Sequence, residues 1–205
     1  MNKVVSKCKI CRRLGFSVCG SQKCATKRKP YPPGVHGRSR KRRRNLSEYG
    51  MQLKEKQKIR FLYGITERQF QNYVKKSLSQ SKQDVSDALA SLLESRLDNI
   101  VFRLGFAESR SRAHQMVGHG HITVNGRRVN IPSYKVSKDD VIKISQTSLG
   151  NGLFKNLDIR LKKHEAPSWL EVSKDKTEAK VLGKPSVDEF LKSHNIKPII
   201  EYYSR

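Results

Sequence analysis

The chain has 205 residues, and its 43 Lys and Arg against 18 Asp and Glu give a formal net charge of +25. Such charge calls for a polyanionic partner, either nucleic acid or an anionic membrane surface, and the basic segments lack the apolar face that a membrane surface needs. No apolar run approaches the about 18 residues that span a bilayer, and no signal peptide is evident, so we expect a reducing compartment without disulfides.

The first third of the chain is far more basic than the rest. Residues 1–60 carry 19 Lys and Arg against 2 Asp and Glu, whereas residues 61–205 carry 24 against 16. The first third is therefore predicted to be a basic arm that does not fold compactly by itself. The remainder has enough apolar residues to bury a core, which suits one or two small domains.

All four cysteines lie near the N-terminus, at Cys8, Cys11, Cys19 and Cys24, in the pattern C-x2-C, seven residues, C-x4-C. Two close pairs, each held by a tight turn, would direct four thiolates at one point and complete a closed tetrahedral zinc shell. An iron–sulfur cluster and free thiols are the alternatives, and a redox pair would need a βαβ setting. We expect one structural Zn²⁺ that organises the arm.

Residues 27–44 combine turns with a dense run of cations. Their prolines and glycines oppose a regular helix and favour extended or turn geometry. Arginine can fork onto phosphate and stack on bases, and Tyr31 adds a stacking surface. A solvated tail or a nuclear-localisation signal is the alternative. The predicted RNA contacts in the arm are Arg12, Arg13, Lys27, Arg28, Tyr31, Arg38, Arg40, Lys41, Arg42, Arg43 and Arg44.

Three helices are predicted in the centre of the chain. The first covers 45–62, begins at Asn45 or Ser47, and would turn Lys54, Lys58 and Arg60 towards phosphate. The second follows Thr66 as N-cap, before a polar loop at 77–84. The third and strongest runs from a cap at Ser86 or Asp87 to Gly105, and its leucines are assigned to the core.

Residues 107–136 predict a compact basic surface. Ser109 would cap a short helix, and Asn125-Gly126 predicts a type I′ hairpin. A strand at 141–144 would return after an Asp139-Asp140 turn. A rigid cationic face of this kind suits reading the shape of folded RNA through phosphates and 2′-hydroxyls. Its members would be Arg110, Arg112, His119, His121, Asn125, Arg127, Arg128, Tyr134 and Lys135.

Several stretches resemble one known family. LLESRLDNIVFRLGF and HGHITVNGRRVNIPSYKV resemble the RNA-binding domain named after small-subunit ribosomal protein four. That domain also occurs in enzymes, but CKICRR, KRKPYPPGVHG, EKQKIRFLYGITERQF and the terminal EYYSR resemble the bacterial ribosomal protein family itself. The likeness therefore runs nearly end to end, although it assigns no role to 146–182.

The resemblance implies an α+β fold, in which an RNA-binding domain of a small antiparallel sheet plus helices is inserted in a helical domain. The expected divisions are a zinc-containing basic arm at 1–44, a helical domain at 45–92 completed by 180–205, and the inserted domain at 93–179. A helix capped by Ser186 over 185–191 would return to the helical domain. By the same resemblance, Cys8, Cys11, Cys19 and Cys24 are the zinc ligands. RNA contacts would fall on Arg110, Arg112, His114, Gln115, His121, Asn125, Arg127, Arg128, Tyr134 and Lys135.

The function that the resemblance implies is structural. Family members bind small-subunit ribosomal RNA early in assembly and nucleate folding of the subunit body. They touch small-subunit protein five, which influences decoding accuracy, and lie near the channel through which messenger RNA enters. Two alternatives are an RNA-modifying enzyme and a zinc-containing DNA-binding regulator. No catalytic constellation supports the first, and no finger spacing or helix-turn-helix pair supports the second.

Overall fold

A computed structural model describes residues 7–21, 23–38, 46–79, 84–154, 157–162, 164–173, 177–185 and 195–204. The elements, in chain order, are α1 (Lys7–Leu14), α2 (Ala25–Arg28), a 3-10 helix (Val35–Arg38), α3 (Glu48–Tyr63), α4 (Glu67–Leu78), α5 (Val85–Glu94), α6 (Leu97–Arg103), α7 (Arg110–Gly118), β1 (Ile122–Val124), β2 (Arg127–Arg128), β3 (Val141–Ile144), α8 (Gln146–Leu149), α9 (Leu157–Lys162), β4 (Leu170–Val172), β5 (Glu178–Val181) and α10 (Lys197–Ser204).

The chain divides into two compact units. The first unit comprises Met1–Gln71 and His194–Arg205, and the second unit comprises Asn72–Ser193. These limits differ from the expected divisions at 92/93 and 179/180, and the domain boundaries expected from the sequence stay a prediction. Of the helix predicted over 185–191, everything after Pro185, including its cap Ser186, lies outside the described residues, as does part of the predicted loop at 77–84.

Helices with well-formed caps build the first unit. The hydroxyl of Ser47 accepts a hydrogen bond from Gly50 N at 3.2 Å, so Ser47, one of the two predicted starts, caps α3. Thr66 caps α4, because its hydroxyl accepts from Gln69 N at 3.3 Å while the Gln69 side chain accepts from Thr66 N at 3.2 Å. This reciprocal pair is a capping box, and it confirms the predicted cap.

The single helix predicted from Ser86 or Asp87 to Gly105 is wrong. Asp84 caps α5, and the helix stops at Glu94 because Arg96 adopts an extended conformation, with φ −70° and ψ 137°. At the break, backbone groups that would bond within a helix instead form hydrogen bonds with the segment 132–136. Leu97 N donates to Tyr134 O at 2.9 Å and Val136 N donates to Ser95 O at 3.0 Å. The lost helical hydrogen bonds are thus replaced by strand-like ones.

A five-stranded antiparallel sheet lies in the second unit, in the order β2-β1-β3-β5-β4. The predicted hairpin is confirmed, since Asn125 (φ 50°) and Gly126 (φ 77°) both take the positive φ of a type I′ turn. The strand predicted at 141–144 is β3. Residues 146–182, to which the sequence assigns no role, supply β4 and β5, two of the five strands of the sheet.

One apolar core organises the second unit. It joins α6 and α7 to β1, β3, β4 and β5, with Phe106 and Ile142 fully buried and Trp169 only 7% exposed. The helices therefore cover one face of a small sheet, the mixed architecture that the sequence predicts. Among the described residues, no helix is both long and apolar enough to cross a bilayer.

Candidate nucleic-acid interface and cysteine cluster

The thiols of Cys8, Cys19 and Cys24 converge, with their Sγ atoms all within 4.8 Å of one another. Cys8 and Cys11 lie one turn apart on α1, so a helix, and not the predicted tight turn, holds this pair. Cys24 immediately precedes α2. Gly15, with φ 68°, begins the turn that brings the second pair back to the first.

The fourth thiol, Cys11, adjoins this group from a buried position. Cys11 is 0% exposed and packs in a small apolar cluster with Leu14 and Val18. Burial raises the pKa of Cys11 to about 12, and side-chain hydrogen bonds with Cys19 and Cys24 also act in that direction. Burial would raise the pKa of Cys24 too, but hydrogen bonds to Ser17 and Thr26 outweigh it and lower that pKa to about 6.

The donor set fits a metal ion that prefers sulfur. Four thiolates around Zn²⁺, at about 2.3 Å each, stand about 3.8 Å apart in a tetrahedron. The spacing of the three converging sulfurs is within reach of that arrangement. Cys8, Cys19 and Cys24 are therefore close enough to hold a metal ion.

Arg12, on α1, forms hydrogen bonds with the segment around Tyr31. Its Nε donates to Tyr31 O at 3.0 Å, one Nη donates to Pro32 O at 3.1 Å, and the guanidinium lies 4.7 Å from the centroid of the Tyr31 ring. Arg12 and Tyr31, both predicted to bind RNA, therefore interact with each other. The structure leaves four predicted arm cations exposed, Arg13, Lys27, Arg28 and Arg38. The predicted contacts outside the described residues are Arg40, Lys41, Arg42, Arg43 and Arg44.

The cations predicted on α3 are half-buried and mostly paired. Lys58 contacts Glu55 at 2.5 Å, and Arg60 contacts Glu67 at 3.1 Å. Lys54, also half-buried, completes the predicted set. Lys56, which sequence reasoning did not single out, is 4% exposed and reaches Glu67 at 2.6 Å. Two of the three side chains predicted to contact phosphate, Lys58 and Arg60, therefore also form ion pairs within this unit.

A buried polar network underlies α7. The Arg96 guanidinium donates twice to the Asp98 carboxylate, and Asp98 Oδ2 lies 3.1 Å from His114 Nδ1. A second branch runs from Glu94 through Asn99 (2.7 Å) to Arg110 Nε (2.9 Å). Buried groups therefore position Arg110 and His114, two of the four predicted RNA contacts on α7.

Sequence reasoning missed this network. Glu94, Arg96, Asp98 and Asn99 sit among core leucines in the helix-forming pattern, and all four are buried. The signal that could have revealed them is the pair of charged residues Arg96 and Asp98 inside a leucine-rich stretch. Charged residues are almost never fully buried unless they are paired.

The hairpin presents two exposed arginines. Arg127 and Arg128 both lie on β2, outside the core. Arg128 donates to His119 O at 2.9 Å, and its guanidinium crosses Gly120 so closely that a Cβ there would lie 2.1 Å from Nε. Asn125 has a turn-closing role, since its side chain donates to Asp140 at 2.8 Å and accepts from Val141 N at 2.9 Å.

The remaining predicted contacts surround α7 and the segment that pairs with the helix break. His121 Nδ1 lies 2.9 Å from the hydroxyl of buried Ser148. Burial, together with the positive charges of His119 and Arg128, lowers the pKa of His121. The exposed members of the predicted set in this unit are Arg112, His114, Gln115, His119, Asn125, Arg127, Arg128, Tyr134 and Lys135.

This arrangement defines a class of protein. An apolar core carries a short helix and a hairpin whose exposed side chains are predominantly cationic, which is a scaffold for binding folded RNA. Comparison with known families agrees, because residues 4–94 match the family described as Ribosomal protein S4/S9 N-terminal domain, and residues 95–142 match the S4 domain.

Whole-chain relatives narrow the class to one family. The Small ribosomal subunit protein uS4 of Chlorobium limicola is 43% identical over 197 residues, covering 96% of both chains. The protein of the same name from Thermus thermophilus is 44% identical over 204 residues, covering 97% of this chain and 96% of the relative. The chain belongs to the ribosomal protein uS4 family. Its members are structural proteins, which excludes the RNA-modifying enzyme considered above.

Proposed function

We propose that the chain is a structural, non-enzymatic constituent of the small ribosomal subunit in the cytoplasm, where it binds small-subunit ribosomal RNA. Family membership over 96% of the chain is the observation that carries the proposal. The net charge of +25 supports it, since Lys and Arg that neutralise phosphates release condensed counterions.

The proposed RNA surface in the second unit consists of exposed side chains fixed on a rigid core. Arg112 comes from α7, and Arg127 and Arg128 come from β2. Tyr134 and Lys135 extend the surface along the segment that pairs with the helix break. Cations held on packed elements lose little entropy on binding, which favours reading the shape of a folded RNA.

Incorporation into particles tests this function directly. Small subunits are reconstituted from ribosomal RNA and a protein mixture in which this chain is the only uS4 member, and the particles are separated by sedimentation. The proposal expects the chain in the small-subunit fraction, crosslinked to RNA through the proposed surface. A chain that stays in the unbound fraction while the other proteins assemble would contradict it.

We also propose that Cys8, Cys11, Cys19 and Cys24 together hold one structural Zn²⁺ that organises the arm. Three sulfurs within 4.8 Å of one another, and Cys11 one helical turn from Cys8 on α1, support the four-thiolate shell. A closed shell leaves no position open for substrate, so the ion would stabilise the fold and not catalyse. Elemental analysis should give about one zinc per chain, whereas iron would indicate a cluster instead.

The finer roles that the family resemblance implies complete the proposal. The chain would bind ribosomal RNA early, nucleate folding of the subunit body, contact small-subunit protein five with an effect on decoding accuracy, and lie near the channel through which messenger RNA enters. Crosslinking within assembled subunits tests the contacts. Crosslinks to protein five and to messenger RNA are expected, and their absence alongside RNA crosslinks would remove these two roles alone.

A further inference from the structure

A cavity of about 140 Å³ opens beside α7 in the second unit and shares Arg112 with the proposed RNA surface. It is smaller than the about 300 Å³ at which pockets for drug-sized ligands begin, and it suits a single planar group inserted in part. Its lining residues are Glu108, Arg112, Met116, Gly152, Leu153 and Arg160.

Packed elements set the positions of this lining. Ser109 caps α7 by accepting from Arg112 N at 3.3 Å, which fixes Glu108 just before the helix and Arg112 in its first turn. Met116 follows Arg112 by one turn on the same helix face. On the opposite wall, Arg160 of α9 donates to Phe106 O at 2.8 Å, so its guanidinium is anchored beside the cavity.

The lining combines three chemical features. Met116, 2% exposed, and half-buried Leu153 give an apolar surface, and a thioether packs favourably against aromatic rings. Arg112 and Arg160 add two cations. Glu108 is exposed, and within the described ranges no hydrogen bond or ion pair engages its carboxylate, so both oxygens are available as acceptors.

We propose that this cavity is a subsite for one unstacked guanine base of a single-stranded or bulged RNA segment. Guanine is the RNA base whose Watson–Crick edge offers two adjacent donors, N1–H and the N2 amino group, to one carboxylate. The base would lie against Met116 and Leu153, and the flanking phosphates would meet Arg112 and Arg160. Base edges of unstacked nucleotides are the usual target of sequence-specific RNA recognition.

The direction in which one substitution changes RNA affinity distinguishes this proposal from a purely electrostatic effect. A carboxylate near RNA repels phosphate, so Glu108→Gln should strengthen binding if Glu108 has no partner on the base. If Glu108 accepts from guanine, the same substitution should weaken binding, because the amide opposes one donor with another. The inference rests on the proposed RNA-binding function and deepens it by naming a base.

The test uses the metal-loaded full chain and a short oligouridine with one central guanosine, inosine or adenosine, measured by fluorescence anisotropy. The wild-type protein should prefer guanosine by about tenfold, as one bidentate contact to a base edge provides. Glu108→Gln should lose that preference, whereas Glu171→Gln, an exposed carboxylate on β4 outside the cavity lining, should keep it. A Glu108→Gln protein that binds all three oligonucleotides more tightly, or keeps the preference, would overturn the proposal.

Two further measurements separate the possible failures. Free guanosine monophosphate should compete only weakly, and competition as strong as that of the oligonucleotide would instead make the cavity a free-nucleotide site. Binding of a small-subunit ribosomal RNA fragment is measured on the same samples. If the fragment binds but guanosine is not preferred, the guanine subsite is wrong and the proposed function stands. If neither RNA binds, both are wrong.

Discussion

The guanidinium of Arg96 donates two hydrogen bonds to the carboxylate of Asp98, at 3.0 and 2.7 Å, and neither side chain is more than 5% exposed. The pair sits at the break between α5 and α6, where Tyr73 accepts from Arg96 at 2.8 Å and His114 contacts Asp98. Burial would raise the pKa of Asp98, but hydrogen bonds and positive charge from His114 and Arg96 lower it. The carboxylate is therefore ionised in the folded protein.

Asp98→Ala should lower the free energy of unfolding by about 3–5 kcal/mol, because it leaves the buried guanidinium of Arg96 without its counter-charge. Urea denaturation measures the loss. Glu178→Gln is the control, since the Lys143–Glu178 pair at 2.5 Å is more than one-third exposed on both sides. Its removal should cost less than about 1 kcal/mol. Equal losses of unfolding free energy for the two substitutions would mean that the buried pair stabilises the fold no more than the exposed pair does.

The hairpin turn should be sensitive to backbone conformation as well as to hydrogen bonds. Asn125 has φ 50°, so Asn125→Ala adds about 1–2 kcal/mol of strain to the loss of its bonds with Asp140 and Val141. Asn125→Gly loses the same bonds without the strain, and should unfold at a higher denaturant concentration than the alanine variant. If the two variants have equal midpoints, the left-handed conformation carries no cost here.

Acid should destabilise the first unit through Glu67. Burial would raise the pKa of Glu67, but hydrogen bonds from Lys56 and Tyr203, and the charges of Lys56 and Arg60, lower it below its ordinary 4.5. A lowered folded pKa contributes stability above the unfolded value and loses it as the pH falls through the folded one. The free energy of unfolding should therefore fall below pH about 4.5.

Substitution separates this carboxylate from the others. Glu67→Gln should be less stable at neutral pH and should lose less stability on acidification than the wild type. Glu55→Gln removes a different carboxylate, one that contacts Lys58 on α3, and leaves the Lys56–Glu67 pair intact. Parallel acid-unfolding curves for wild type and Glu67→Gln would show that Glu67 is not responsible.

Removal of the metal should loosen the arm and spare the core of the second unit. Small metal-organised segments lose their structure when a chelator takes the ion, because binding free energy is folding free energy there. Amide hydrogen exchange should accelerate across α1 and α2 after chelation, while α6 and α7 stay protected. Cys11→Ser should reproduce the effect without chelator. Unchanged exchange in α1 would indicate that the thiols do not hold a structural ion.

Local signals predicted the parts of the fold that depend on local chemistry. Thr66, Ser109 and Asn125-Gly126 all have the structural roles their residue types indicate, because caps and tight turns are determined within a few residues. The break at Arg96 was not predictable in this way, since leucines continue at helical spacing on both sides. What interrupts the helix is the hydrogen bond from Leu97 N to Tyr134 O, which joins residues 37 positions apart in the chain.

Only part of the candidate site was predicted from the sequence, again because local patterns do not reveal contacts between distant residues. Exposed cations on β2 follow from the hairpin pattern, but the support of Arg110 by Asn99 and of His114 by Asp98 depends on contacts between helices. The cavity beside α7 needs Leu153 and Arg160, which come from a stretch with no recognisable motif. Its members meet only when the core is assembled.

Affinity for a structured small-subunit ribosomal RNA fragment, measured against salt concentration, tests the central claim most directly. The wild-type chain should bind steeply more weakly as salt rises. Arg127→Ala with Arg128→Ala should bind more weakly while the protein remains folded. The slope of log affinity against log salt should fall by the equivalent of about two phosphate contacts. Lys162→Ala with Lys184→Ala removes equal charge elsewhere in the second unit and should keep most of the affinity. A salt-independent affinity, or an arginine variant that binds like the wild type, would contradict the account.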